Sequence, residues 1–205
     1  MCIRDRKYPS IKIITEELQT QDLVLKLYNN QLDVGILVTP LENTSLIEIP
    51  LFYEPFMGYI SDSHPLIQKQ QLKAEDLDVE GLWLLEKGHC FRGQILSICQ
   101  DRNLKRENGD IHFECGSLET LRRIIENHFG YTLLPELATI GFNEEQQSKI
   151  RPFEDPVPVR EVGLAIHQSY IKRSTVELLK REIQNCVPPH MLKQSVSTKK
   201  VMVEN

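Results

Sequence analysis

The sequence predicts an α/β fold of two lobes, and three observations carry that prediction. Apolar runs of strand length alternate with segments of helical period along most of the chain. Turn residues mark the passages between them, as at Lys87-Gly88-His89 before one helix and Gly130 after another. The chain also crosses between lobes twice, at Tyr53-Glu54-Pro55 and across residues 151–158, which carry three prolines.

Taken in order, the opening MCIRDR fits neither period. Ile11, Ile13 and Ile14 read as a strand, and a helix follows from Gln21 or Asp22 to about Asn29 on Leu23, Leu27 and Tyr28. Residues 32–38 return as a buried strand, so this unit reads as β-α-β, with a parallel sheet and a right-handed crossover. Residues 46–51 and the PFMGYI segment are two short strands on either side of the first passage, the second broken at Pro65. A short helix over 72–77, an apolar strand at Leu82, Trp83, Leu84 and Leu85, and a strand over 111–114 come next. Ser117 is placed to cap a helix through Leu118, Leu121, Ile124 and Ile125, with Glu119 positioned to pair with Arg122 or Arg123. Gly130 stops that helix. A strand runs over 131–134 to Pro135, then a helical turn over 136–140. VGLAIH is a strand, and Ser174 caps a helix through Val176, Leu179 and Ile183. Beyond Pro188-Pro189 the polar, basic tail reads as disordered.

This divides the chain into lobe I (residues 7–52 plus 154–188), lobe II (53–153, carrying the paired cysteines) and a tail (189–205), with a cleft between the lobes where ligands tend to bind.

At 205 residues, 40% hydrophobic and 26% charged, the composition is that of a globular protein with a sizeable core. A net charge of −5 and a pI near 5.7 argue against a nucleic-acid-binding surface. No apolar run approaches the roughly 20 residues that span a bilayer, and no signal peptide is visible. Five cysteines (Cys2, Cys90, Cys99, Cys115, Cys186) are too few and too scattered for a secreted disulfide scaffold, so a reducing cytoplasm is the expected setting.

The segment GHCFRGQILSIC carries the chemistry. From Cys90 onward Phe91, Ile95 and Ile98 fall on one helical face, which puts Cys90 at a helix start. There the helix dipole, with His89 and Arg92 beside it, favours the thiolate, the reactive form of the residue. Cys99 follows nine residues later. On an intact helix the two lie roughly 13 Å apart along the axis, beyond the about 4.4–6.8 Å between Cα atoms that a disulfide requires. Two readings fit. The pair is an oxidation switch that bonds only after the helix unravels, or both cysteines are small packing residues of an α/β core. With no CxxC or HxxxH pair, a zinc site is the weaker alternative.

The cysteine segment, together with GSLETLRRII, YTLLPELA and SDSHPL, resembles the regulatory domain of LysR-type transcriptional regulators over residues 8–185, and within that family its peroxide-sensing members. The resemblance implies two Rossmann-like lobes of the type 2 periplasmic-binding-protein kind, with the first lobe incomplete because the chain starts after that domain's first strand and helix. It implies that Cys90 is the peroxide-reacting thiolate, Cys99 the resolving thiol, and His89 the histidine beside them. Thr20 falls where such members place a threonine near the peroxide pocket, and Arg160 where they have an arginine close to the cysteine. Read bare, Thr20 is a helix cap or turn residue and Arg160 a solvated residue at a strand start. The sequence departs from the motif at Phe91 and Gly93, where leucine and aspartate are usual, and at His128, where the family usually has glycine; Cys115 is an extra thiol.

The expected function is thus a redox-sensing regulatory domain rather than an enzyme, without cofactor or metal. Its expected partners are hydrogen peroxide, a second copy of itself (tetramers in the intact protein), a thiol reductant, and DNA and RNA polymerase through the full-length protein only. The other class that fits is a module binding a small effector in the interlobe cleft, as in most of the family. A thiol peroxidase ranks last, for want of any peroxidase motif.

Overall fold

The computed structural model describes residues 7–8, 11–41, 45–78, 81–86, 90–99, 115–195 and 197–201. In chain order the elements are α1 (Thr20–Tyr28), β1 (Gly35–Thr39), β2 (Leu46–Ile60), α2 (Cys90–Ile98), α3 (Leu118–Asn127), β3 (Tyr131–Pro135), α4 (Glu144–Ser148), β4 (Ile150–Arg151), β5 (Val157–His167), α5 (Arg173–Gln184) and β6 (Thr198–Lys200). The fold is α/β, as expected. The strands join in the order β1-β5-β2-β3, with β4 on β2 and β6 on β5.

Strand direction differs from the expectation. β1 pairs antiparallel with β5, from Gly35↔Ala165 to Thr39↔Glu161. No parallel β-α-β unit forms at the start, because Ile11, Ile13 and Ile14 make no strand, and Ile13 and Ile14 stand exposed. A strand persists only where a neighbour takes up its backbone N–H and C=O groups, and among the described residues none lies beside them. Nor do residues 82–85 build a ladder. They stay extended through one bridge, with Trp83 N–H donating to the Tyr131 carbonyl and Tyr131 N–H to that of Gly81, both at 2.8 Å.

The two short strands expected around Tyr53-Glu54-Pro55 are one strand of 15 residues. β5 pairs with its first part as far as Pro55↔Val159, and β3 takes over at Phe56↔Pro135. Proline cannot donate to a ladder, so it is tolerated where pairing is irregular. Pro50 sits at a register shift and Pro55 where the partner changes.

Successive residues of β5 face opposite sides. Ala165 packs with Leu27, Leu37 and Leu46 under α1. Val162, Leu164 and Ile166 pack with Leu51, Phe52 and Val176 under α5. A separate cluster gathers Phe56, Ile60, Phe91, Ile95, Ile98, Leu121, Tyr131 and Leu133 beneath α2 and α3.

Several local expectations shift. Ser117 occupies the N-cap of α3 but makes no side-chain cap bond, and α5 begins at Arg173, so Ser174 lies inside it. Glu119 pairs with both Arg122 and Arg123. The helix ends at Asn127, short of Gly130. Gly130 is required for another reason: at φ +136° a Cβ there would lie 2.4 Å from the Gly81 carbonyl and from Trp83 Nε1.

The tail, expected to be disordered, is ordered as far as it is described. Met191 is buried among the α5 cluster, β6 lies parallel to β5, and Val201 is buried in the cluster that holds Phe91. Its polar composition conceals these apolar anchors, and the edge of β5 at Val157–Val159 supplies backbone partners.

Candidate functional site

Helix α2 begins at Cys90, as its sequence period requires, and ends at Ile98, with Cys99 N–H still donating to the Ile95 carbonyl at 3.1 Å. Its buried stripe is Phe91, Gln94, Ile95 and Ile98, the i, i+3, i+4, i+7 set of a helix laid on a core. Cys90 and Cys99 are both free, half-buried thiols at opposite ends of this coil. At a rise of about 1.5 Å per residue, nine residues separate them by roughly 13 Å along the axis.

Around the Cys90 end, two strands converge on Phe91 of α2. Its ring stacks on Phe56 of β2 with centroids 5.6 Å apart and planes at 19°. The Arg160 guanidinium carbon of β5 lies 5.3 Å from the centre of the same ring. Arg160 is no solvated strand-start residue: its Nε donates to Glu54 Oε2 at 2.8 Å and its Nη2 stands 2.7 Å from that oxygen. Arg92 Nη1 donates to the Leu85 carbonyl at 2.8 Å, tying the segment before the helix to the helix itself.

The Cys99 end is drier. Burial, and then the charge of Asp78, push the Cys99 thiol up to about 12 from an ordinary 9.0. The Tyr131 hydroxyl accepts from Asp78 N–H at 2.9 Å and donates to the Asp78 carbonyl, which holds that acidic residue beside the helix end. Tyr131 in turn is pushed well above the usual phenol range by burial and by the nearness of Cys99. At neutral pH this environment favours the protonated thiol over the thiolate while the helix is intact.

The other sequence-derived residues fare differently. Thr20 is the first residue of α1, half-buried, and its hydroxyl makes no hydrogen bond among the described residues. The contacts that gather on Phe91 do not include it. His89, with Lys87 and Gly88, lies outside the described residues. Cys115 is buried and donates its S–H to the Ser117 carbonyl at 3.1 Å. Sequence reading missed Glu54 and Gln94. A lone carboxylate inside the apolar run LFYEPFMGYI was the available signal for the first; for the second, it was an amide on an otherwise apolar helical stripe. Gln94 is fully buried with neither amide atom hydrogen-bonded among the described residues.

Two surface depressions, of about 540 and 310 Å³, lie along α5 and beside Ile67 and Arg151, and neither is lined by Cys90, Cys99 or Arg160. Among the described residues no cluster of His, Cys, Asp and Glu could hold a metal ion, and no helix is long and apolar enough to cross a membrane.

Residues 5–186 match the family model of the LysR substrate binding domain. The chain belongs to that family. This LysR-type chain is 34% identical over 192 residues to the DNA-binding transcriptional dual regulator OxyR of Escherichia coli K12, covering 92% of itself and 62% of that protein. It is 32% identical over 157 residues to the hydrogen peroxide-inducible genes activator of Haemophilus influenzae, covering 77% of itself and 51% of that relative. Its structure resembles crystalline OxyR from Porphyromonas gingivalis at a TM-score of 0.88 and 31% identity, over 98% of this chain and 90% of the other. This LysR-type chain thus spans roughly half to three fifths of the curated relatives' length.

Proposed function

We propose that this chain is the peroxide-sensing regulatory part of a cytoplasmic LysR-type transcription factor, with Cys90 and Cys99 as its redox pair. The observation that carries the reading is their placement as free thiols at the two ends of one helix, with an arginine stacked on the residue next to Cys90. The likeness to regulators named for hydrogen peroxide induction supports it.

In this mechanism the Cys90 thiolate attacks one oxygen of hydrogen peroxide. An S–O bond forms, the O–O bond breaks, and the departing hydroxide takes a proton to leave as water. His89 and Thr20 orient the oxidant, and Arg160 stabilises the negative charge on the departing oxygen. Cys99 then attacks the sulfenic sulfur: the S–S bond forms, the S–O bond breaks, and a second water departs with the Cys99 proton. That step needs the helix to unwind, because its rise holds the sulfurs apart. Unwinding repacks α2 and changes how two copies of the domain associate. In the full-length protein, a tetramer on DNA, this alters contact with RNA polymerase. A cellular dithiol restores the two thiols by exchange, becoming a disulfide itself.

Peroxide treatment followed by peptide mapping should recover a Cys90–Cys99 linked peptide, lost in Cys90→Ser. Oxidation confined to Cys115 or Cys186, with helix α2 intact, would overturn the proposal.

A further inference from the structure

Glu54 is almost completely buried, with 2% of its side chain exposed, in the middle of an apolar strand. Both of its oxygens are engaged. Oε2 takes Arg160, and Oε1 accepts the Leu137 N–H at 3.0 Å. Glu54 and Arg160 stand directly opposite each other across the β2–β5 ladder. Phe56, two residues along β2, shares the face of Glu54. One strand therefore grips the Phe91 ring twice: Phe56 stacks on it, and Glu54 holds the Arg160 guanidinium over it. A guanidinium carries five N–H donors in a rigid fork. Glu54 engages Nε and Nη2, and among the described residues Nη1 has no acceptor. A buried ion pair adds little net stability compared with apolar residues of the same volume. The pair therefore calls for a reason other than packing.

We infer that Glu54 is a positioning residue for peroxide reduction, fixing Arg160 over Phe91 so that a free N–H edge of the guanidinium meets the peroxide oxygen that departs as hydroxide when the Cys90 sulfur takes the other. This rests on the peroxide-sensing reading above. Glu54 touches no reacting atom; it acts by holding Arg160 to one orientation, the kind of preorganisation worth one to several powers of ten in rate.

The test follows the second-order loss of the Cys90 thiol to hydrogen peroxide by mass spectrometry, in the parent chain, Glu54→Gln, Arg160→Gln and the double variant. Glu54→Gln should react at least tenfold more slowly, and the double variant no more slowly than Arg160→Gln alone. Iodoacetamide, which has no departing oxygen for Arg160 to stabilise, should alkylate Cys90 equally fast in parent and Glu54→Gln. Glu54→Asp, with its charge kept on a shorter arm, should fall between parent and Gln, and it carries the comparison if the Gln variant does not fold. Parental peroxide rates in both Glu54 variants, or losses in the double variant that multiply, would overturn the inference. A parent chain whose Cys90 ignores peroxide would instead overturn the functional reading on which it rests.

Discussion

Phe91 stacks on Phe56 at 5.6 Å, and this ring pair fastens the helix that starts at Cys90 to the long strand β2. Both side chains are buried in the cluster shared with Ile95 and Ile98. Phe91→Ala removes the ring and leaves a cavity, which should cost about 3–5 kcal/mol. Chemical denaturation of the reduced protein should report that loss. Amide exchange over residues 90–99 should also rise by more than exchange in β5. An equal rise in both would mean that the ring supports the whole fold and not the helix in particular.

Burial and Asp78 hold the Cys99 thiol near 12 in place of 9.0. Because the folded state binds this proton more tightly than the unfolded chain, the associated stability is fully present below pH 9 and is lost as pH rises toward 12. Maleimide labelling of the reduced chain at pH 7–8 should therefore reach Cys186, which is exposed, well before Cys99. Comparable labelling rates at the two positions would show that Cys99 is not shielded.

Gln94 buries an amide that is unpartnered among the described residues, one turn after Cys90. An unmet buried polar group costs about 1–3 kcal/mol, so Gln94→Leu should raise the stability of the reduced chain by a similar amount. Under the proposed switch it should also slow Cys90–Cys99 bond formation, by stiffening the helix whose opening that proposal requires. A midpoint that falls in denaturant titration would show the amide to be satisfied and needed.

Glu161 joins the tail to β1. It accepts from Thr39 Oγ1 at 2.6 Å, and Lys200 Nζ lies 2.8 Å from its other oxygen. Burial alone would raise this carboxyl, but hydrogen bonds from Lys200 and Thr39 outweigh it and hold the group below its ordinary 4.5. The stability it contributes is therefore present above pH 4.5 and lost as pH falls below it. Acidification should release β6 before the rest of the sheet, as amide exchange at Val201, whose N–H bonds the Val159 carbonyl, can reveal. Lys200→Met should shrink that acid dependence.

How much of this was legible in the sequence can be judged element by element. Helix α2 was, because Phe91, Ile95 and Ile98 repeat at the helical period from Cys90 onward. So were α3 and its Glu119 pairs, set by spacings of three and four residues. Strand partners were not. Ile11, Ile13 and Ile14 have the composition of a strand but find no ladder, while polar Thr198–Lys200 finds one on β5. The site divides the same way, since Cys90 and Cys99 stand out by spacing, whereas Glu54 is a single charge in an apolar run.

By itself, then, the sequence determined the α/β class, the helix that separates the two thiols, and the membership its motifs announce. These rest on contacts within a few residues, where backbone geometry links spacing to structure. Tertiary structure alone decided the antiparallel sheet, the protonated burial of Cys99 against Asp78 and Tyr131, and the seating of Arg160 on Phe91 by Glu54, a partner 106 residues away. Such pairings depend on which strands become neighbours when apolar faces are buried together, and no local period encodes that choice.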